Sequence, residues 1–107
     1  MAKQQLYLGQ PTDTAVAVYT SSNATTSVFS ATVCNSTVTA DDLDVYLVPD
    51  GGAASAANQI YDALSVAANT TMGLQALINV TIPKGASLQM KAATSATLTV
   101  QISGDVS

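Results

Sequence analysis

Apolar residues recur at every second position in short runs, and turn-forming residues interrupt each run before it could complete a helix. Leu43, Val45 and Leu47 alternate with Asp44 and Tyr46, and Leu98, Val100 and Ile102 alternate with Thr97, Thr99, Gln101 and Ser103. Side chains of a strand point to opposite faces in turn, so this period of two places one apolar and one polar face on each segment. Such segments form an antiparallel sheet that covers its apolar face with a second sheet. The expected fold is therefore all-β, a single antiparallel β-sandwich or jelly-roll-like barrel.

The punctuation sets the strand boundaries. A first strand is expected near Gln4–Leu8, ended by Gly9 and Pro11, and a second over Thr14–Tyr19. After Ser21, Ser22 and Asn23 comes a long strand from Thr25 to Cys34, on which Phe29, Ala31 and Val33 share the face assigned to the core. Leu43–Val48 follows. Pro49, Asp50, Gly51 and Gly52 then stop the chain, because proline cannot donate to a ladder and glycine tolerates positive φ. Ala53–Leu64 carries both a helical and an alternating pattern, and a loop leading into a strand near Gln59–Val66 is favoured. Short strands are expected at Thr70–Leu74 and Val80–Ile82. A hairpin of Leu88–Met90 with Leu98–Ile102 turns near Thr94 and Ser95. The expected core is Phe29, Val33, Val45, Leu47, Leu98, Val100 and Ile102.

At 107 residues the chain has length for one such unit, a single β-sandwich domain over residues 1–107. Its aliphatic supply, from Leu6, Leu8, Val16 and Val18 through Ile102, is sufficient for one core.

Charge is the compositional outlier. Only 9% of residues are charged, against about 25% in ordinary soluble domains. Glu, Arg, His and Trp are absent, and Thr, Ser, Ala, Asn and Gln fill the solvent-facing positions. Interface cores are depleted in Lys, Glu and Asp, so the pattern points to a surface hidden against other chains, with assembly as a homo-oligomer, a trimer in preference to a dimer. The net charge of −4, with only Lys3, Lys84 and Lys91 as cations, argues against a nucleic-acid partner. No apolar run approaches a membrane span, and Met1–Leu6 lacks a signal-peptide core, so no membrane partner and synthesis in a cytoplasm are expected.

The residues offer little to catalysis. Without His, the usual general base is missing, and Cys34 has no basic neighbour in sequence to activate it. A Ser–Lys pair built on Lys84 or Lys91 would need a desolvated lysine. The expectation is a non-enzymatic protein without catalytic, cofactor-binding or metal-binding residues. Asp41, Asp42, Asp44 and Asp50 form the one acidic cluster. Their spacing lacks the Gly and terminal Glu of a helix–loop–helix calcium site, and they read as a solvated turn and as a guard against edge pairing. Asn23, Asn35, Asn69 and Asn79 stand in glycosylation-type triplets, which arise easily in a chain rich in Thr and Ser. Carbohydrate binding through Asp, Asn and Tyr is an alternative that the scarcity of aromatics weakens. Tyr19 and Tyr46 are expected to project away from the aliphatic faces of their strands.

The segments Leu6–Gln10, Thr32–Asn35, Val45–Pro49 with Gly51 and Gly52, and Ile82–Leu88 resemble small virion structural proteins of tailed bacteriophages over nearly the whole chain. The late turn departs from that pattern, with Gly85, Ala86 and Ser87 where an acidic residue commonly follows the Gly. The resemblance implies a structural role: a capsid decoration or cement protein on the outside of the assembled head, with the major capsid protein as partner and the virion surface as location. The alternative it implies is a small tail, fibre or adaptor component.

Overall fold

The computed structural model describes residues 3–22 and 24–106. It contains nine strands: β1 (Lys3–Gly9), β2 (Val16–Thr20), β3 (Thr26–Asn35), β4 (Asp41–Val48), β5 (Gln59–Val66), β6 (Thr70–Gly73), β7 (Thr81–Ile82), β8 (Ser87–Ala92) and β9 (Leu98–Val106). Single turns of 3-10 helix at Ala56–Asn58 and Gln75–Leu77 are the helical structure among the described residues. All pairings are antiparallel. One sheet runs β1-β9-β3-β6 with β7 also on β3, and the other runs β2-β8-β4-β5.

The connections β1–β2, β3–β4, β5–β6 and β8–β9 all pass from one sheet to the other. With the two-residue β7 set aside, this is the eight-stranded jelly-roll arrangement. The expected hairpin of β8 with β9 is corrected here: β8 pairs with β2 and β4, whereas β9 pairs with β1 and β3. The 93–97 link crosses between sheets that stack about 10 Å apart. A hairpin and a crossing of this kind have the same period of two, so alternation does not separate them.

Between the sheets, Val28, Val33, Leu43, Val45, Leu74, Leu77, Ile82, Leu88, Met90, Leu98, Val100 and Ile102 are fully enclosed. Five of the seven expected core residues are in this set. Leu47 is only half-buried, and Phe29 is 37% exposed. For Phe29 the reason is a β-bulge. Val28 pairs with Gly104 and Ser30 with Ser103, so Phe29 is an extra residue in β3. The insertion shifts the phase of the strand: Thr26 and Val28 point inward before it, Ala31, Val33 and Asn35 after it, and Phe29 and Ser30 both fall outside. Bulges in β1 and β2 act likewise. Leu6 and Tyr7 both pack on the core while Leu8 is 60% exposed, and the consecutive Val18 and Tyr19 both pack on the core.

Opposite the β3 bulge, the chain between β6 and β7 leaves the ladder and returns. Leu74 N–H donates to Ala31 O at 2.9 Å, and Asn79 N–H donates to Val28 O at 2.8 Å. Between them the 3-10 turn folds Leu74 and Leu77 into the core. Asn79 closes the excursion at φ 68° and Asn69 the β5–β6 turn at φ 54°, a left-handed conformation that asparagine tolerates better than most residues.

Gly104 has a different role, since a Cβ there would sit 2.2 Å from Ser27 O and 3.1 Å from Leu6 Cδ1. The absent side chain lets β9 approach β3 at the bulge.

Candidate interaction surfaces

The four clustered aspartates do not converge. Alternation along β4 turns Asp41 inward and Asp42 and Asp44 outward, and Asp50 lies beyond the strand's far end. Asp50 sits against the 83–85 turn, where a Cβ on Gly85 would be 2.7 Å from its carboxyl carbon. Asp44 bonds Lys91 of β8 at 3.5 Å and accepts the Ala63 N–H at 2.6 Å. Ala63 has φ 52° and stands in the irregular stretch of β5 opposite Asp44. The carboxylate thus holds a bulge on the edge strand. The expectation that β4 itself needs charge as an edge guard is corrected, since β4 lies inside its sheet and β5 is the edge. Among the described residues no three Cys or Asp side chains gather to hold a metal ion.

Lys91 is engaged by Asp44, and Lys84 is exposed in a turn. The Tyr19 hydroxyl shares a hydrogen bond of 2.8 Å with Thr26 Oγ1, which also meets Ser21 Oγ at 2.8 Å. Tyr19 therefore belongs to the interior, contrary to the expectation from alternation, while Tyr46 does lie outward in the row Ala17, Gln89, Tyr46, Gln59. Of the glycosylation-type triplets, Asn35 is wholly buried. Its amide donates to Thr39 O and Val66 O, and its carbonyl accepts from Thr37. Asn69 and Asn79 are turn residues, Asn35 ends β3 and ties down the turn that follows, and Asn23 lies outside the described residues.

The outer faces of the two sheets differ. On β2-β8-β4-β5 the outward rows carry Asp42, Asp44 and Lys91. On β1-β9-β3-β6 three of the four outward rows in register are Leu8–Gln101–Thr32–Gly73, Thr99–Cys34–Thr71 and Gln5–Ser103–Ser30, with Phe29 standing beside the last. Every one of these is neutral. Among the described side chains of that sheet, the single charge is Asp105 near the end of β9. Cys34 sits half-buried on inner strand β3, in the row of the face nearest the 93–97 link.

One end of the sandwich forms a pocket. The β1–β2, β3–β4, β5–β6 and β8–β9 links meet there: Asn69 N–H donates to Thr37 O, Asp13 N–H to Ser95 Oγ and Ala93 N–H to Asp42 O. Thr37, Thr39, Ala40, Asp41, Thr94 and Thr97 line a pocket of about 300 Å³. Asp41, 7% exposed, binds the β8–β9 link through Oδ2, which accepts the Thr94 N–H at 3.2 Å and the Thr97 hydroxyl. Comparison of the chain with family models, with curated proteins and with solved structures finds no match.

Proposed function

We propose that the chain is a non-enzymatic structural protein that seats its neutral sheet face on a larger assembly. More narrowly, it is a small virion protein of a tailed phage that decorates the outside of the assembled head. The observation that carries this reading is the outer face of β1-β9-β3-β6, neutral across three of its four rows, with Asp105 in the fourth at one end and with Leu8 and Phe29 exposed. Neutral hydroxyl and amide side chains lose less on desolvation than charged ones, and depletion of charge is the compositional mark of interface cores.

Size decides how such a face can work. Four strands about 4.8 Å apart and about 20–30 Å long present on the order of 500 Å², less than the roughly 800 Å² per partner of a stable standard interface. One copy bound through this face alone is held weakly. An oligomer that engages several equivalent shell sites gains effective concentration, and a trimer matches the threefold positions of an icosahedral shell. Binding only the assembled shell stabilises it by RT ln(1 + [L]/Kd), about 2.7 kcal/mol per site at a hundredfold excess over Kd. The major capsid protein is the partner this reading requires.

The test is localisation and stoichiometry in purified virions. Immunogold labelling on the head and a copy number in the hundreds are expected. Labelling confined to the tail, in a few copies, overturns decoration in favour of a tail or adaptor component.

A further inference from the structure

We propose that the pocket at the loop end is a binding site for a single sugar ring, recognised through a pair of neighbouring hydroxyls. This does not rest on attachment to a capsid. The pocket is on the loop end, away from the neutral sheet face.

Three observations combine. First, Asp41, more than nine-tenths buried, lines the pocket with only Oδ2 engaged; Oδ1 takes no hydrogen bond among the described residues and is open to solvent. An ionised carboxylate oxygen accepts only, so it calls for a donor from outside. Second, the Thr39 and Thr94 hydroxyls on the lining are likewise without hydrogen bonds among the described residues. Each can donate or accept. Third, most of the lining is apolar.

Those features select among ligands. The carboxylate disfavours an anion. A divalent cation such as Ca²⁺ takes about six to eight oxygens, and Asp41 is the only carboxylate on the lining. A pyranose offers adjacent O–H donors for Oδ1, oxygens for the threonine hydroxyls and a C–H face for the apolar wall. The pocket volume lies at the lower end of the range for small-molecule sites, about 300–1,000 Å³, which admits one ring. No aromatic side chain lines it, so the site lacks a stacking platform and weak binding, with a Kd on the order of 1 mM, is expected.

Methyl β-D-galactopyranoside and methyl α-D-glucopyranoside, each titrated to about 50 mM against the ¹⁵N-labelled chain, test this well above a millimolar Kd. For at least one of them, saturable shifts are expected at the amides of Thr39, Ala40, Thr94 and Thr97, with Gly51 at the opposite end unmoved. Asp41→Asn should weaken binding tenfold or more. Because Asp41 also holds the β8–β9 link, Ala40→Leu is the second variant: Ala40 is exposed, so the added side chain fills the pocket without entering the core. Loss of binding with an unchanged melting temperature is expected. Absence of saturable shifts with both sugars, or undiminished binding by Ala40→Leu, overturns the proposal.

Discussion

On the β2-β8-β4-β5 sheet, the central outward positions hold an ion pair, Lys91 with Asp44, backed by the exposed Asp42. On the β1-β9-β3-β6 sheet, the equivalent positions hold Thr, Ser, Gln, Cys and Gly, with Leu8 and Phe29 exposed beside them. Both sheets bury apolar residues on their inner faces, so core formation does not require this difference. Charge keeps a sheet face hydrated, and its absence makes desolvation cheaper. The contrast teaches that a neutral composition averaged over the chain is concentrated on one side of the sandwich.

The largest expected effect concerns how the neutral sheet is built. Gly104→Ala places a Cβ 2.2 Å from Ser27 O, a backbone clash that only a shift of β9 or β3 relieves. Such overpacking should cost more than about 3 kcal/mol, read by chemical denaturation. A loss below about 1 kcal/mol would show that the close approach at the bulge is dispensable.

Next in size is truncation within the core. Leu98→Ala in β9, fully enclosed, should cost about 3 kcal/mol. Leu47→Ala in β4, half-buried, should cost about 1 kcal/mol. Equal losses would contradict the placement of Leu47 at the margin.

The outer faces are separated by matched substitutions at half-buried, outward ladder positions. Gln101→Lys on the neutral sheet and Gln89→Lys on the charged one should each leave stability within about 0.5 kcal/mol. In reconstitution onto heads lacking the protein, Gln101→Lys is expected to weaken docking about a hundredfold, or about 2.7 kcal/mol, while Gln89→Lys docks normally. The reverse ranking would assign docking to the other sheet.

The smallest effect is a pH dependence on the neutral sheet. Burial raises the pKa of the Tyr7 hydroxyl above 10.0. The unfolded chain therefore loses this proton first, so the contribution is whole below pH 10 and is lost as pH rises through the folded-state pKa. Tyr7→Phe should flatten that part of the stability profile, measured by denaturation between pH 9 and 11.

These contrasts also show what the sequence makes legible. Alternation is local, and where a strand is regular it places residues correctly: Val100 and Ile102 inward with Gln101 outward on β9, and Leu43 and Val45 inward with Asp44 outward on β4, whereas Asp41, read as part of a solvated turn, is the buried first residue of β4. A bulge adds one residue without changing composition, so Phe29, Leu8 and Tyr19 carry the wrong phase when read from the chain alone. Choice of partner strand is non-local, which is why β8 and β9 read as a hairpin. The pocket was equally hidden. Asp41 reaches Thr94 and Thr97, 53 and 56 residues away, and only the crossing of the 93–97 link brings them together. Asn35, the buried bracket between the β3–β4 turn and β5, is visible in sequence only as a turn former.

Cys34 offers the most direct test of the neutral face, because it is the only cysteine and lies on that face in the inner strand β3, flanked by Thr99 and Thr71. Its alkylation rate by a maleimide is to be measured in the free protein and in purified virions, beside a Cys34→Ser, Gln89→Cys variant that moves the thiol to the other sheet. Docking through the neutral face predicts strong protection of Cys34 on the particle and unchanged labelling at position 89. Equal labelling of Cys34 in both states, with position 89 protected, would contradict it.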